Sequence, residues 1–218
     1  MVDDKTAARR ERRAAARKEQ ILDGAARVFA EKGFARATTK EIAEAADVSE
    51  GTIYNYFDSK EDVLIGIMTH LGEKELRTMQ ITPDLLERGL EQDLRDFYRG
   101  VLRARQDFVA RNKAMLQAVL SEMIVNRDFA ERYSRQLLMP GMDVFEKHIR
   151  ARAKLGQIRA VDVPLVSRFF SAMNLGLLGL LLINDPVIES DWESGKLVEE
   201  LTAFVFDALE PGEEETHQ

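Results

Sequence analysis

The chain has 218 residues, enough for one large domain or a small one joined to a medium one, and needs no disulfide or metal staple to bury a core. It has no cysteine and only three widely spaced histidines, His70, His148 and His217, which excludes thiolate chemistry and a histidine-cluster metal site and fits a reducing cytoplasm. The formal net charge of −7 is uneven: residues 1–60 carry 12 basic and 11 acidic side chains, the remainder 19 and 27. The longest apolar run, Leu175 to Ile183, is nine residues, well below the roughly 20 of a membrane span, so a soluble protein without membrane contact is expected.

Residues 1–17 read as a basic, flexible arm. Lys5 to Lys18 holds seven basic residues (Lys5, Arg9, Arg10, Arg12, Arg13, Arg17, Lys18) against Glu11, and no apolar segment follows that would make it a signal peptide. It is either a solvated tail or an arm for nucleic acid, partly extending the first helix and reaching a minor groove with its end. Ile21, Leu22, Ala25, Val28 and Phe29 then form one stripe of a helix that ends at Gly33. Thr38 with Glu41 is a capping box opening a short second helix with Ile42, Ala43 and Ala46 on its apolar face. Asp47-Val48-Ser49 interrupts it, Ser49 caps a third short helix over Gly51 to Phe57, and Ser59 with Asp62 opens a fourth, carrying Val63, Leu64, Ile67, Met68 and Leu71.

Beyond Pro83, helical spacing runs over Leu85 to Ala110, Lys113 to Val125, Phe129 to Ala153, Val163 to Asn184 and Trp192 to Leu209, with a kink or break predicted at Pro140-Gly141. Residues 211–218 read as a disordered acidic tail. No strand pattern appears, so the class is all-α: a three-helix helix-turn-helix domain over 18–65 followed by a larger helical domain over 66–210.

A helix, a three-residue turn and a second short helix opening with small, hydroxylated residues can place one helix end in a DNA major groove. Ser49, Gly51 and Thr52 let backbone approach phosphates. Tyr54 and Tyr56, two of the four tyrosines, sit on a short helix with little to bury, where hydroxyls reach phosphates and rings reach thymine methyls. Lys60 can pair with a phosphate as a point charge.

The run from Thr38 through Phe57, continued by Asp58-Ser59-Lys60-Glu61 and preceded by Ile21 to Phe34, resembles the TetR/AcrR family of bacterial repressors; the resemblance is dense over about residues 18–65. It implies a homodimeric, sequence-specific DNA-binding transcriptional regulator, a repressor released from a palindromic operator by a small effector. It also implies DNA contacts from Thr38, Thr39, Ser49, Gly51, Thr52, Tyr54, Asn55, Tyr56 and Lys60. Two residues depart from the commonest pattern. Asp47 stands where glycine is frequent and can adopt the left-handed turn. Glu50 stands where lysine is common; its carboxylate either weakens binding by repelling phosphate, the favoured reading, or accepts from a cytosine amine.

In the C-terminal region Leu165, Phe169, Ala172, Gly176, Gly179 and Ile183 recur at spacings of four and three, a seam with three small residues suited to close helix approach. The last helix offers Leu197, Leu201, Phe204, Val205 and Ala208. Together these faces make either a four-helix dimer core or an intramolecular one. Phe108, Met115, Val119, Met123, Phe145, Phe170 and Met173, with Phe97 beside them, are candidates to line a pocket for an apolar or amphipathic ligand. Gln117, Glu122, Asn126, His148 and Asn174 are possible polar anchors, although at each an ordinary surface or capped residue is the commoner explanation. Arg95, Arg99, Arg103 and Arg105 read as a solvated face or a site for an anionic head group. No cofactor is implied, and no nucleophile with a base, phosphate loop or H-E-x-x-H motif points to an enzyme. The alternatives left are an activator or ligand-independent regulator on the same fold and a structural helical adaptor.

Overall fold

The structure, a computed structural model, describes residues 2–78, 90–193 and 195–209. These form ten α-helices and one π-helical turn: α1 Val2–Lys32, α2 Thr39–Ala45, α3 Glu50–Tyr54, α4 Lys60–Thr78, α5 Leu94–Val125, α6 Arg127–Tyr133, the π turn Ser134–Leu138, α7 Met139–Lys154, α8 Val163–Leu182, α9 Pro186–Glu193 and α10 Lys196–Leu209. The described residues contain no strand. The start of the expected Leu85 to Ala110 helix and the acidic tail lie outside the described residues.

The chain divides into two compact units, one of residues 1–74 with 114–130 and one of residues 75–113 with 131–218. The first unit therefore takes up Ala114–Ala130, which the sequence pattern had assigned to the C-terminal domain. In it, α1 buries Ile21, Leu22, Ala25, Val28 and Phe29, and α4 buries Val63, Leu64, Ile65, Ile67 and Met68. Met115, Leu116, Val119 and Phe129 are buried residues of the same unit. Helix α1 meets the end of α2 at Gly24, where a Cβ would come within 2.8 Å of the Ala46 backbone nitrogen. From the same helix Gln20 donates to the Ala46 carbonyl (2.6 Å) and Arg27 to the Ala45 carbonyl (2.6 Å), satisfying the acceptors that a seven-residue helix leaves open at its C-terminus.

The basic segment is helical from Val2 and continuous with α1, where the sequence suggested a flexible arm. Alanine and arginine are strong helix formers, and Ala7, Ala8, Ala14, Ala15 and Ala16 interleave the basic residues.

In the second unit, Tyr98, Leu102, Val198 and Phe206 form one buried cluster, with Phe170, Leu201 and Val205 against it. Ile149, Ile158, Val163 and Leu209 form another. The segment read as one helix over Phe129 to Ala153 is two helices joined by the π turn. Proline 140 lacks an N–H and crowds the preceding turn, and a widened turn just before it relieves both conflicts. Helix α9, which holds Trp192, was not anticipated. The two segments read around Ala110 to Lys113 are one helix with a non-helical residue, Asn112, whose side-chain amide takes the Phe108 carbonyl (2.8 Å).

Helix propensity alone would make Gly24→Ala stabilising by about 1 kcal/mol. The contact with Ala46 backbone is tighter than any ordinary Cβ contact, and overpacking costs about 1–3 kcal/mol, so the variant should lose stability in urea unfolding. Gly72→Ala, where a Cβ meets nothing within 4 Å, is the control and should gain up to about 1 kcal/mol.

Lys32 bonds Glu41 across α1 and α2, and that bond, with the Thr38 backbone and hydroxyl, holds the Glu41 carboxyl down from 4.5 to about 2. A depressed carboxyl contributes stability above its unfolded pKa and loses it as pH falls through the folded one. Glu41→Gln should therefore flatten the stability profile between pH 4.5 and about 2, and an unchanged acid limb would assign that pH dependence to other groups.

Candidate nucleic-acid interface

Two short helices present the candidate surface. Thr38 caps α2 as the sequence indicates: its Oγ1 accepts from the Glu41 N–H (3.3 Å), and its own N–H and hydroxyl donate to the Glu41 carboxylate (3.0 Å each). The turn closes as a Schellman motif, with Val48 N–H to Ala43 carbonyl (3.0 Å) and Asp47 N–H to Glu44 carbonyl (3.2 Å). Asp47 takes the left-handed residue of that motif at φ 50°. Ser49 caps α3, its Oγ accepting from the Thr52 N–H (3.2 Å) and lying 2.7 Å from the Thr52 hydroxyl.

The expected contact residues fall into two groups. Ser49, Gly51, Tyr54 and Asn55 are exposed, Tyr54 at 51%, and Thr39, Thr52 and Tyr56 are half-buried beside them. Thr39 donates to the Glu50 carboxylate (2.5 Å) and touches the Tyr54 hydroxyl (3.3 Å), so α2 and α3 are tied across their outer face. Thr38 is occupied by its cap. Lys60 departs from the expectation: its ammonium donates to the carbonyls of Phe34 (2.8 Å), Ala37 (3.1 Å) and Ala35 (3.4 Å) and lies 4.4 Å from the centre of the Phe34 ring. All three protons have acceptors within the chain, so Lys60 fastens the loop between α1 and α2 instead of offering a free charge to a phosphate.

The expected pocket residues are divided between the two units. Met115, Val119 and Met123 belong to the first unit; Phe145 stacks on Phe170 at 4.7 Å, and Phe108 and Met173 are half-buried. A cavity of about 30 Å³ lies among α5, α8, α9 and α10, lined by Leu102, Arg105, Gln106, Asn174, Leu178 and Trp192 with their neighbours. Of the residues the sequence put forward for a ligand, Asn174 and Arg105 line it. Asn126 caps α6 through the Phe129 N–H (3.1 Å) and binds Glu122 (2.8 Å), and His148 accepts from the buried Arg152 (3.3 Å). The arginine stripe of α5 pairs with α10: Arg99 and Arg103 with Glu199 (2.9 and 3.2 Å) and Arg95 with Asp207 (3.4 Å).

The seam of α8 faces outward. Leu165 (50%), Phe169 (67%) and Ile183 (73%) are exposed, as are Ala172 and Gly176, and Gly179 is half-buried. From α10, Phe204 (70%) is exposed, whereas Leu201 belongs to the interior cluster and the cavity wall, so the expected matching face of α10 is narrower than its spacing implied. Helix α8 as a whole has a mean hydropathy of 1.6 over an 18-residue window, enough in length and composition to cross a membrane, which the nine-residue apolar run had not suggested. It contains Arg168, bonded to Glu146 and to the Pro164 carbonyl.

The bacterial regulatory proteins of the tetR family, as a sequence family, match residues 21–67, the stretch from the α1 core stripe through the start of α4. Residues 21–67 therefore form a TetR-family N-terminal domain. A fatty acid metabolism regulator protein of Bacillus subtilis (strain 168) is 48% identical over 48 residues, 22% of this chain and 25% of that one, so the match spans about a quarter of that relative. The HTH-type transcriptional repressor KstR2 of Rhodococcus jostii (strain RHA1) is 26% identical over 171 residues, 70% of this chain and 74% of its own. The crystal structure of the Bacillus subtilis regulator FadR in complex with stearoyl-CoA has the same fold, with a TM-score of 0.61 and 21% identity over 84% of this chain and 96% of that one. The TetR family and these relatives are transcription regulators, not enzymes.

Lys60→Ala in this TetR-family head should lower its stability by about 2 kcal/mol, the scale of lost charged hydrogen bonds, as read by the urea midpoint. The salt slope of DNA binding should stay as in the parent; a slope reduced by about one would return Lys60 to a phosphate.

Proposed function

We propose that the protein is a homodimeric, cytoplasmic transcriptional repressor that binds a palindromic DNA operator through Thr39, Ser49, Gly51, Thr52, Tyr54, Asn55 and Tyr56 and is released by a small apolar or amphipathic effector. The observation that carries this reading is the outer face of α2 and α3, where a five-residue helix and its C-cap present Tyr54 and Asn55 to solvent on a capped turn. The helical basic segment supports it as a source of attraction. An α-helix about 10 Å across is wider than the roughly 6 Å minor groove, so this segment meets phosphates from outside instead of entering the groove.

The exposed seam of α8 supports the dimer. Gly176 and Gly179 have nothing within 4 Å of an added Cβ, so the packing of a single chain gives no reason for two glycines that each cost a helix up to about 1 kcal/mol. A second copy laid against Leu165, Phe169 and Ile183 supplies the reason, because small residues let two helices approach closely. A palindromic operator then follows from the two-fold axis of the dimer.

The FadR structure holds stearoyl-CoA, an effector-sized molecule with a long apolar chain, whereas the cavity beside Asn174 has room for a water or two, so an effector must open it. A regulator that ignores small molecules is the second reading, and the small cavity favours it.

Gel shifts on promoter fragments with the full chain test DNA binding, and added acyl ligands test release. Gly176→Leu should convert a dimer to a monomer in sedimentation and abolish operator binding, while the fold of the single chain persists because the site is open. A variant that remains dimeric moves the interface away from this seam.

A further inference from the structure

We infer that Glu50 is a specificity-determining residue that reads a base amino group, most simply the N4 amine of cytosine, and that Thr39 and Tyr54 hold it ready to do so. The inference rests on the proposed DNA-binding role of the α2 and α3 surface. The Thr39 hydroxyl has one proton, and it goes to the Glu50 carboxylate at 2.5 Å. At the 3.3 Å contact between Thr39 and Tyr54 the donor is therefore the Tyr54 hydroxyl. A proton chain runs in one direction, from Tyr54 through Thr39 to Glu50, and joins the first residue of α2 to both ends of α3.

This polarity decides what the surface can recognise. Both hydroxyl protons are spent within this trio, so the groups that the trio leaves facing outward, the second carboxylate oxygen of Glu50 and the lone pairs of Tyr54, are acceptors. A phosphate is made of acceptors and gains nothing from them. A base edge in the major groove offers donors at the N4 amine of cytosine and the N6 amine of adenine. Adenine places its N7 acceptor beside that amine, which a carboxylate repels, whereas the cytosine amine is flanked on its own ring by a C–H. At Glu50 this acceptor-only trio of Thr39, Glu50 and Tyr54 thus favours cytosine over adenine. The sequence alone favoured simple repulsion of phosphate by Glu50; the hydrogen-bond direction gives the carboxylate a fixed position and a partner class.

The test uses the full-length chain and selection from randomised duplexes at one fixed salt concentration, with thermal melting to confirm that each variant folds. The parent should select half-sites with one invariant cytosine, and replacing that C·G pair by T·A should weaken binding roughly tenfold or more. Glu50→Ala should bind both duplexes equally. Glu50→Gln keeps an acceptor for Thr39 but adds an amide donor, and should shift the preference at that position toward adenine, whose N6 and N7 match an amide. If Glu50→Ala instead tightens binding to every duplex by the same factor and leaves the selected sequence unchanged, Glu50 is only a repelling charge and the inference fails. If the parent selects no sequence at all, the DNA-binding reading falls, and this inference with it.

Discussion

The reading head depends on the close approach of α1 to the end of α2 at Gly24. Helices of seven and five residues do not persist alone, because nucleation costs more than so few hydrogen bonds return. Removing a side chain at residue 24 lets the α1 backbone lie on Ala46, which in turn brings Gln20 and Arg27 within reach of the carbonyls at the end of α2. Lys60 repeats the device at the other end of the domain, gathering three loop carbonyls under one ammonium. The outward tyrosine and asparagine are thereby held by groups that point inward.

What the amino-acid order disclosed here is what short-range chemistry dictates. Thr38 with Glu41, Ser49 with Thr52 and Ser59 with Asp62 are pairs three residues apart, so their caps are visible before any tertiary contact is known, and Asp47 sits where a local motif demands a left-handed residue. The role of Lys60 was hidden because its acceptors are backbone carbonyls up to 26 residues away, and a carbonyl has no signature in a sequence. Periodicity likewise put Met115 and Val119 forward as pocket residues of the larger domain, whereas they are buried in the first unit, and it could not tell Leu201, turned inward, from Phe204, turned outward, on one amphipathic helix. Pro140 signalled a break in the helix that holds it, but the strain is absorbed in the turn before it.

In the second unit, charge and apolar surface are sorted onto different faces. Arg95, Arg99 and Arg103 of α5 share Glu199 and Asp207, which ties α5 to α10 and offsets much of their charge. Exposed ion pairs of this kind contribute little stability individually, and their value lies in fixing which face of α10 turns inward. The face left over on α8 is apolar over several turns, with Arg168 at its edge held by Glu146, and this sorting directs any apolar association to that one stripe.

The helical basic segment has a consequence for its own stability. Arg9, Arg13 and Arg17 are spaced four apart on one face, so like charges repel along the helix by roughly 0.2–0.5 kcal/mol per pair, with few neighbouring acids to offset them. Counterions relieve that repulsion, and so does a row of phosphates. The segment is therefore least ordered in dilute buffer and gains helix as salt rises, while its attraction for a polyanion declines over the same range. Order and affinity for a polyanion in this part of the chain therefore respond to ionic strength in opposite directions.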